Sequence, residues 1–134
     1  MQLIDTNVVS ELMRPMPNVG VRRWLDETAT AGASLAVSVV TIDEVVFGLT
    51  RRPRGASFAL FDDFIGRNRV LELSEAIARR AGELRGVLSL RGHVRSQADM
   101  LIAATAQVHA LTLVTRNQRD FEGCGIAVLD PFDA

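Results

Sequence analysis

The chain has 134 residues, 48% of them hydrophobic, and a formal net charge of −1. This length suits one compact domain over 1–134, and the near-neutral charge excludes a strongly basic nucleic-acid-binding surface over the whole chain. The single cysteine, Cys124, excludes an internal disulfide, and the lack of a signal peptide or membrane-spanning run predicts a cytoplasmic protein without a membrane partner.

Apolar or alternating stretches predict five strands, at 1–4, 34–40, 69–73, 111–115 and 125–129. Helical periodicity fills the gaps between them. Helices are predicted from Thr6 to about Pro15, from Asn18 onward, and over Thr41–Leu49, Ser57–Ile65, Ser74–Leu90 and Ser96–His109. Because strands alternate with helices, the chain is expected to form an α/β fold around a mostly parallel sheet.

Four acidic residues follow predicted strands or begin predicted helices: Asp5, Glu44, Asp99 and Asp120. In an open parallel sheet, ligands bind beyond the carboxyl ends of the strands, so these side chains are predicted to meet at one edge. Carboxylates that converge repel one another unless protons or a cation relieve the repulsion. The two histidines, His93 and His109, have no paired metal spacing, so an all-oxygen site for Mg²⁺ or Mn²⁺ is favoured over zinc.

Helix capping is the alternative interpretation of two of these acids. Thr41 to Glu44 and Ser96 to Asp99 both match the capping-box pattern, in which the third helical residue bonds back to the cap. The two interpretations are compatible, because a helix N-terminus favours the ionised carboxylate that a hard cation requires. Asp5 is harder to explain structurally, because a carboxylate beside a buried strand loses hydration unless something binds it.

Four motifs in order resemble a PIN-domain ribonuclease, and more closely the toxins of VapBC-type and FitAB-type toxin–antitoxin pairs. They are LIDTNVVSEL at the N-terminus, T-x-x-E-x-x-x-G over Thr41–Gly48, AD-x-x-IAATA around Asp99, and LVTRNQRDFEG followed by D-P-F. The resemblance covers essentially the whole chain. It implies a three-layer α/β/α PIN-like domain with a mostly parallel, about five-stranded central sheet.

The resemblance implies that Asp5, Glu44 and Asp99 are metal-site acids, with a fourth acid from the TRNQRD segment. Where some relatives place Asp directly after T-R, this chain has Asn117, and the next acid is Asp120. We therefore predict that Asp5 and Asp99 bind Mg²⁺ or Mn²⁺ directly, whereas Glu44 and Asp120 act through water. Residues expected to orient the carboxylates or a phosphate are Thr6, Asn7, Thr115 and Asn117.

The partners implied by the resemblance are an RNA substrate, a cognate antitoxin protein, and operator DNA bound only through the antitoxin. A homodimer or a higher assembly with the antitoxin is also implied. Two other functions stay open, a non-catalytic PIN-like module that binds RNA or a partner and a PIN nuclease that acts on DNA. A P-loop NTPase is excluded because no G-x-x-x-x-G-K is present, and a receiver domain because the chain has no lysine.

Overall fold

The computed structural model describes residues 1–132, so the last two residues of the expected domain, Asp133 and Ala134, lie outside the described residues. Five strands form one sheet. They are β1 (Gln2–Ile4), β2 (Leu35–Ser38), β3 (Arg69–Leu71), β4 (Thr112–Val114) and β5 (Val128–Leu129). Their spatial order is β3-β2-β1-β4-β5, and all four pairings are parallel. The predicted five-stranded parallel sheet is therefore confirmed, with β1 at its centre.

Six α-helices connect the strands, and a short 3₁₀ turn at Gln118–Phe121 follows β4. The helices are α1 (Thr6–Leu12), α2 (Val19–Thr30), α3 (Val39–Arg51), α4 (Ser57–Arg67), α5 (Glu75–Leu90) and α6 (Gln97–Val108). Three predicted starts are correct to within one residue because their caps are present: the side chains of Asn18, Ser74 and Ser96 accept backbone N–H groups of the following turn. No helix within residues 1–132 is long and apolar enough to cross a bilayer.

The helices cover both faces of the sheet, which confirms the three-layer arrangement. Successive residues of a strand point to opposite faces. On β1, Leu3 joins a cluster with α5 and α6, whereas Ile4 joins a cluster with α1 to α4. Both side chains are fully buried. The strand β2 is buried along its whole length, as expected for a strand covered on both faces of the sheet.

The predicted start of the third helix is wrong by two residues. Ser38 Oγ accepts the N–H of Val40 at 3.0 Å, so α3 begins at Val39 and the strand ends at Ser38 rather than at residue 40. The valine-rich run SLAVSVV does not show where the strand ends and the helix begins, because valine suits both a buried strand and a buried helix turn. As a consequence, Glu44 lies in the second turn of α3 and not in the first.

Candidate active site

Asp5 stands at the carboxyl end of the central strand and caps the helix that follows. It is only 4% exposed, and its Oδ1 accepts the N–H of Thr6 at 2.8 Å. Its Oδ2 accepts hydrogen bonds from Thr115 Oγ1 at 2.7 Å and Asn7 Nδ2 at 3.1 Å. An ionised carboxylate has about four lone-pair positions, so these three bonds leave a free one on Oδ1.

Thr115 and Asn7 hold the Asp5 carboxylate in place. The Thr115 hydroxyl donates to Asp5 and accepts from Asn7 Nδ2 and from the N–H of Asn117, both at 3.1 Å. Asn7 Oδ1 accepts the N–H of Arg116, also at 3.1 Å. The predicted orienting residues Asn7 and Thr115 therefore contact Asp5, and they tie the start of α1 to the chain just after β4.

Glu44 reaches the same sheet edge from α3. Its Oε1 accepts a hydrogen bond from Thr6 Oγ1 at 2.6 Å, and Thr41 Oγ1 lies 3.1 Å from the same hydroxyl. The capping-box interpretation of Thr41 and Glu44 is wrong, because Ser38 is the cap of α3 and Thr41 is fully buried inside the helix. Glu44 is instead an exposed carboxylate linked to Asp5 through Thr6.

Asp99 is half-buried in the first turn of α6, which directly follows the predicted helix cap Ser96. Its N–H donates to Ser96 Oγ at 3.0 Å, which is the predicted cap. Burial raises the pKa of Asp99 above its usual value, a hydrogen bond with Ser96 lowers it, and the negative charges of Asp120 and Glu44 raise it further. The positive charge of Arg95 lowers this pKa.

Asp120 lies in the 3₁₀ turn that follows β4. The Asp120 N–H donates to the carbonyl of Asn117 at 3.0 Å, and both side chains are exposed. Asn117 contributes its backbone N–H to Thr115, whereas Asp120 contributes a charge that acts on Asp99. Of these two residues, Asp120 is the one with an electrostatic connection to the other acids.

The four predicted acids therefore share one electrostatic environment. The pKa of Asp5 is raised to about 6, mainly by burial and also by the negative charges of Asp99 and Glu44. The hydrogen bonds from Thr115 and Thr6 act in the opposite direction. A carboxyl whose ionisation is opposed by burial and by two like charges favours either a proton or a cation.

The donor atoms at this edge suit a hard divalent cation, but they are not already gathered around a single point. No group of three or more His, Cys, Asp or Glu side chains within residues 1–132 is arranged to hold a metal ion. Asp5 is fixed by its hydrogen bonds, whereas Glu44 and Asp120 are exposed to solvent. A cation bound at Asp5 Oδ1 would have only oxygen atoms of these carboxylates and of water as its ligands.

Two supporting residues were not singled out from the sequence. The Arg95 guanidinium donates to the carbonyls of Arg119 and Glu122 at 3.1 and 3.2 Å, which fastens the 3₁₀ turn next to the start of α6. Thr41 lies against the Thr6 hydroxyl that bonds Glu44. The position of Arg95, directly before the helix cap Ser96, was a feature of the sequence that could have indicated its role. Thr41 matched a capping pattern, and no other feature indicated its contact with Thr6.

Comparison with known proteins agrees with this arrangement. The family model described as the PIN domain matches residues 3–124. The chain is 31% identical to a protein named VapC ribonuclease Y4jK of Sinorhizobium fredii, covering 99% of each chain. It is 32% identical to Toxin FitB of Neisseria gonorrhoeae, covering 98% of this chain and 99% of that protein.

Solved structures show the same fold. A structure of FitAB bound to a DNA fragment superposes with a TM-score of 0.85 at 31% identity, covering 100% of this chain and 97% of that chain. A chain of a toxin–antitoxin complex from Klebsiella pneumoniae superposes with a TM-score of 0.77 at 27% identity, and each chain is fully covered. The likeness thus extends over the entire sheet and all the helices that position the four acids.

Proposed function

The chain belongs to the PIN-domain family, and on that basis we propose that it is a metal-dependent ribonuclease acting as the toxin of a VapBC/FitAB-type toxin–antitoxin pair. Relatives named as a ribonuclease and as a toxin support this proposal along essentially the whole chain. The observation that carries it is the buried Asp5 carboxylate, whose pKa is raised to about 6 by burial and by the charges of Asp99 and Glu44.

In this proposal Asp5 and Asp99 bind Mg²⁺ or Mn²⁺ directly, while Glu44 and Asp120 hold water molecules at the same edge. When bound there, the cation would act as a Lewis acid that lowers the pKa of a water molecule and neutralises charge on the phosphate oxygens. Thr6 sets the position of Glu44 through its 2.6 Å hydrogen bond. Asn7 and Thr115 both donate to Oδ2 of Asp5, so a lone pair on Oδ1 stays available for the cation.

The reaction follows from this placement of the acids. Glu44 orients a water molecule for in-line attack on the scissile phosphorus. The new bond joins the water oxygen to phosphorus, and the bond to the ribose 3′-oxygen breaks. The attacking water gives up one proton to solvent and the 3′-oxygen takes one up from solvent, so the products carry 5′-phosphate and 3′-hydroxyl ends. DNA contains the same type of phosphodiester bond, so this reaction alone does not select RNA. We assign RNA as the substrate because a relative is named as a ribonuclease.

The partner in this proposal is a cognate antitoxin, supported by the fold shared with a chain of a toxin–antitoxin complex. An antitoxin arginine that reached the acidic edge would pair with carboxylates there, because a guanidinium matches them geometrically. The structure of FitAB bound to DNA supports contact with operator DNA through the antitoxin. We include a homodimer in the proposal, as the resemblance implies.

The test is cleavage of RNA by purified protein with and without a divalent cation. Cleavage is expected in Mg²⁺ or Mn²⁺ and is expected to stop in EDTA. A DNA strand of the same sequence, tested alongside, separates a ribonuclease from a nuclease that acts on DNA. Cleavage that persists in EDTA, with the Asp5→Asn protein purified identically as the contamination control, would refute the metal-dependent mechanism.

A further inference from the structure

A cleft of about 190 Å³ extends from the acidic edge between α1 and α3 and ends at two arginines. Glu44 lines one end, and Arg52 and Arg54 line the other, with Ser10 of α1 on the opposite wall. The cleft is therefore continuous with the proposed active site, since Glu44 belongs to both. Its charge changes from negative to positive along its length.

Arg52 and Arg54 are placed in this cleft without an acidic partner. Several other arginines, by contrast, pair with acids three or four residues away along the chain, namely Arg14, Arg67, Arg79 and Arg80. Neither the Arg52 nor the Arg54 side chain forms an ion pair or hydrogen bond with another described residue. Glu44, the acid in the same cleft, is bonded to Thr6 instead. Both guanidinium groups are exposed and free to bind an anion.

The floor of the cleft is open because of a glycine. Glu44 and Gly48 lie four residues apart on one face of α3, and Arg52, the residue that caps the end of this helix, follows four residues later. A Cβ atom on Gly48 would meet nothing within 4 Å, and its backbone is ordinary helix. Neither packing nor backbone conformation requires glycine here, although glycine costs a helix interior about 0.5–1 kcal/mol relative to alanine. Its effect is to leave the path from Glu44 to Arg52 unobstructed.

The spacing suits a neighbouring phosphate of a bound strand rather than the one being cleaved. Eight residues separate Glu44 from Arg52, which corresponds to about 12 Å along the helix axis. The acidic edge itself repels a polyanion, and the net charge of the chain is −1. Affinity for a phosphate backbone must then come from local cations, and arginine binds phosphate through paired N–H groups.

We infer that the cleft between α1 and α3 is a subsite for a phosphodiester of single-stranded RNA flanking the scissile bond, bound by Arg52 and Arg54. This inference rests on the proposed RNA-cleaving function. Strand continuity favours RNA over an acidic peptide, because a strand with its scissile phosphate at Glu44 necessarily places adjacent phosphates a short distance away. Gly48 provides the channel that the strand follows.

The test is binding of a fluorescein-labelled single-stranded oligoribonucleotide, followed by anisotropy in EDTA at several salt concentrations. Arg52→Ala and Arg54→Ala are each expected to weaken binding by about 3- to 10-fold at low salt. Each is expected to reduce the slope of log affinity against log salt by about 0.7. Gly48→Leu is expected to weaken binding with the slope largely retained, because it obstructs the channel without removing a charge.

Arg69→Ala is the matched control, because Arg69 is an exposed arginine at the amino end of β3, opposite the acidic edge. It is expected to bind RNA as the wild type does. The inference would be overturned if the Arg52→Ala/Arg54→Ala protein bound RNA with wild-type affinity and wild-type salt dependence. It would also be overturned if this protein lost antitoxin binding but kept RNA binding. The binding assay does not depend on cleavage, so the two proposals can fail separately. If the wild type binds RNA through these arginines but never cleaves it, the nuclease function is refuted and the subsite stands. If the wild type cleaves RNA but the arginine variants keep the wild-type salt dependence of binding, the subsite is refuted and the nuclease function stands.

Discussion

At the scale of single residues, Asp5 combines a structural and a chemical role. As the cap of α1 it accepts the Thr6 N–H, and through Oδ2 it joins α1 to the end of β4. These bonds favour the ionised form, yet burial and two neighbouring charges dominate and raise its pKa to about 6. A residue needed only as a cap would gain from ionisation, so the raised pKa of Asp5 supports the proposed cation site.

The raised pKa predicts how Asp5 affects stability in EDTA. An aspartate has a usual value of 3.8, so the folded protein binds this proton more tightly than the unfolded chain does. The free energy of unfolding should therefore fall as the pH rises from about 4 to about 6, and it should stay lower above that range. Asp5→Asn removes this dependence, and at pH 7.5 it should be more stable than the wild type by about 1–3 kcal/mol.

Urea unfolding of both proteins across this pH range is the measurement. Asp43→Asn is the control, because Asp43 is an exposed acid on α3 next to Glu44 and is not one of the four site acids. It should leave the pH dependence as in the wild type. A less stable Asp5→Asn protein at pH 7.5 would mean that Asp5 acts chiefly as a helix cap.

At the scale of secondary-structure elements, the start of α3 is a helix boundary that the local sequence pattern did not predict correctly. The capping-box pattern at Thr41 was plausible, but Ser38 lies three residues earlier and caps the helix instead. The choice between them depends on the sheet: Ser38 pairs in register with Leu71 as the last residue of β2, so the chain leaves the sheet there. Pairing between distant strands is not encoded in the local pattern.

The 3₁₀ turn after β4 gives a second prediction at this scale. Asp120 provides a charge that acts on Asp99, whereas Asn117 provides a backbone N–H that any residue except proline would supply. Asp120→Asn should reduce metal-dependent cleavage by about tenfold to a hundredfold, as for a group that acts through water on the metal. Asn117→Ala should cost less.

Cleavage rates of the two variants at several Mg²⁺ concentrations decide between them. The Asp120→Asn defect should be largest at low Mg²⁺, if its charge helps to hold the cation. A greater loss in Asn117→Ala, together with near wild-type cleavage by Asp120→Asn, would show that the site has three acids. Glu122→Gln is a suitable control, because Glu122 follows the turn and is exposed.

At the scale of the whole molecule, the sheet and the meeting of the acids at one edge were predictable from alternating strands and helices. The contacts that hold the site were not. Thr6 and Glu44 are 38 residues apart, and Asn7 and Thr115 are 108 residues apart, so each pair depends on the strand order β2-β1-β4. Sequence alone placed these residues near one edge but did not indicate which hydroxyl contacts which carboxylate.

The proposed toxin function predicts an effect on cells. Expression of this chain alone should arrest growth, because cleavage of cellular RNA stops protein synthesis or depletes an essential RNA. Asp5→Asn and Asp99→Asn proteins, expressed to the same level, should be harmless, and co-expression of the cognate antitoxin should restore growth. Normal growth in cells that contain soluble, RNA-cleaving wild-type protein would contradict the toxin assignment while leaving the nuclease intact.

We propose that Asp5 and Asp99 bind a divalent cation directly at the carboxyl edge of the sheet, with Glu44 and Asp120 acting through water. Calorimetric titration of Mn²⁺ into the purified protein at pH 7.5 tests it without RNA. The wild type should bind Mn²⁺, and Asp5→Asn and Asp99→Asn should each weaken binding by at least about tenfold, since the loss of a group that only supports a metal ligand already reaches that size. Asp43→Asn should bind as the wild type does. Wild-type Mn²⁺ affinity in both the Asp5→Asn and Asp99→Asn proteins would contradict the account.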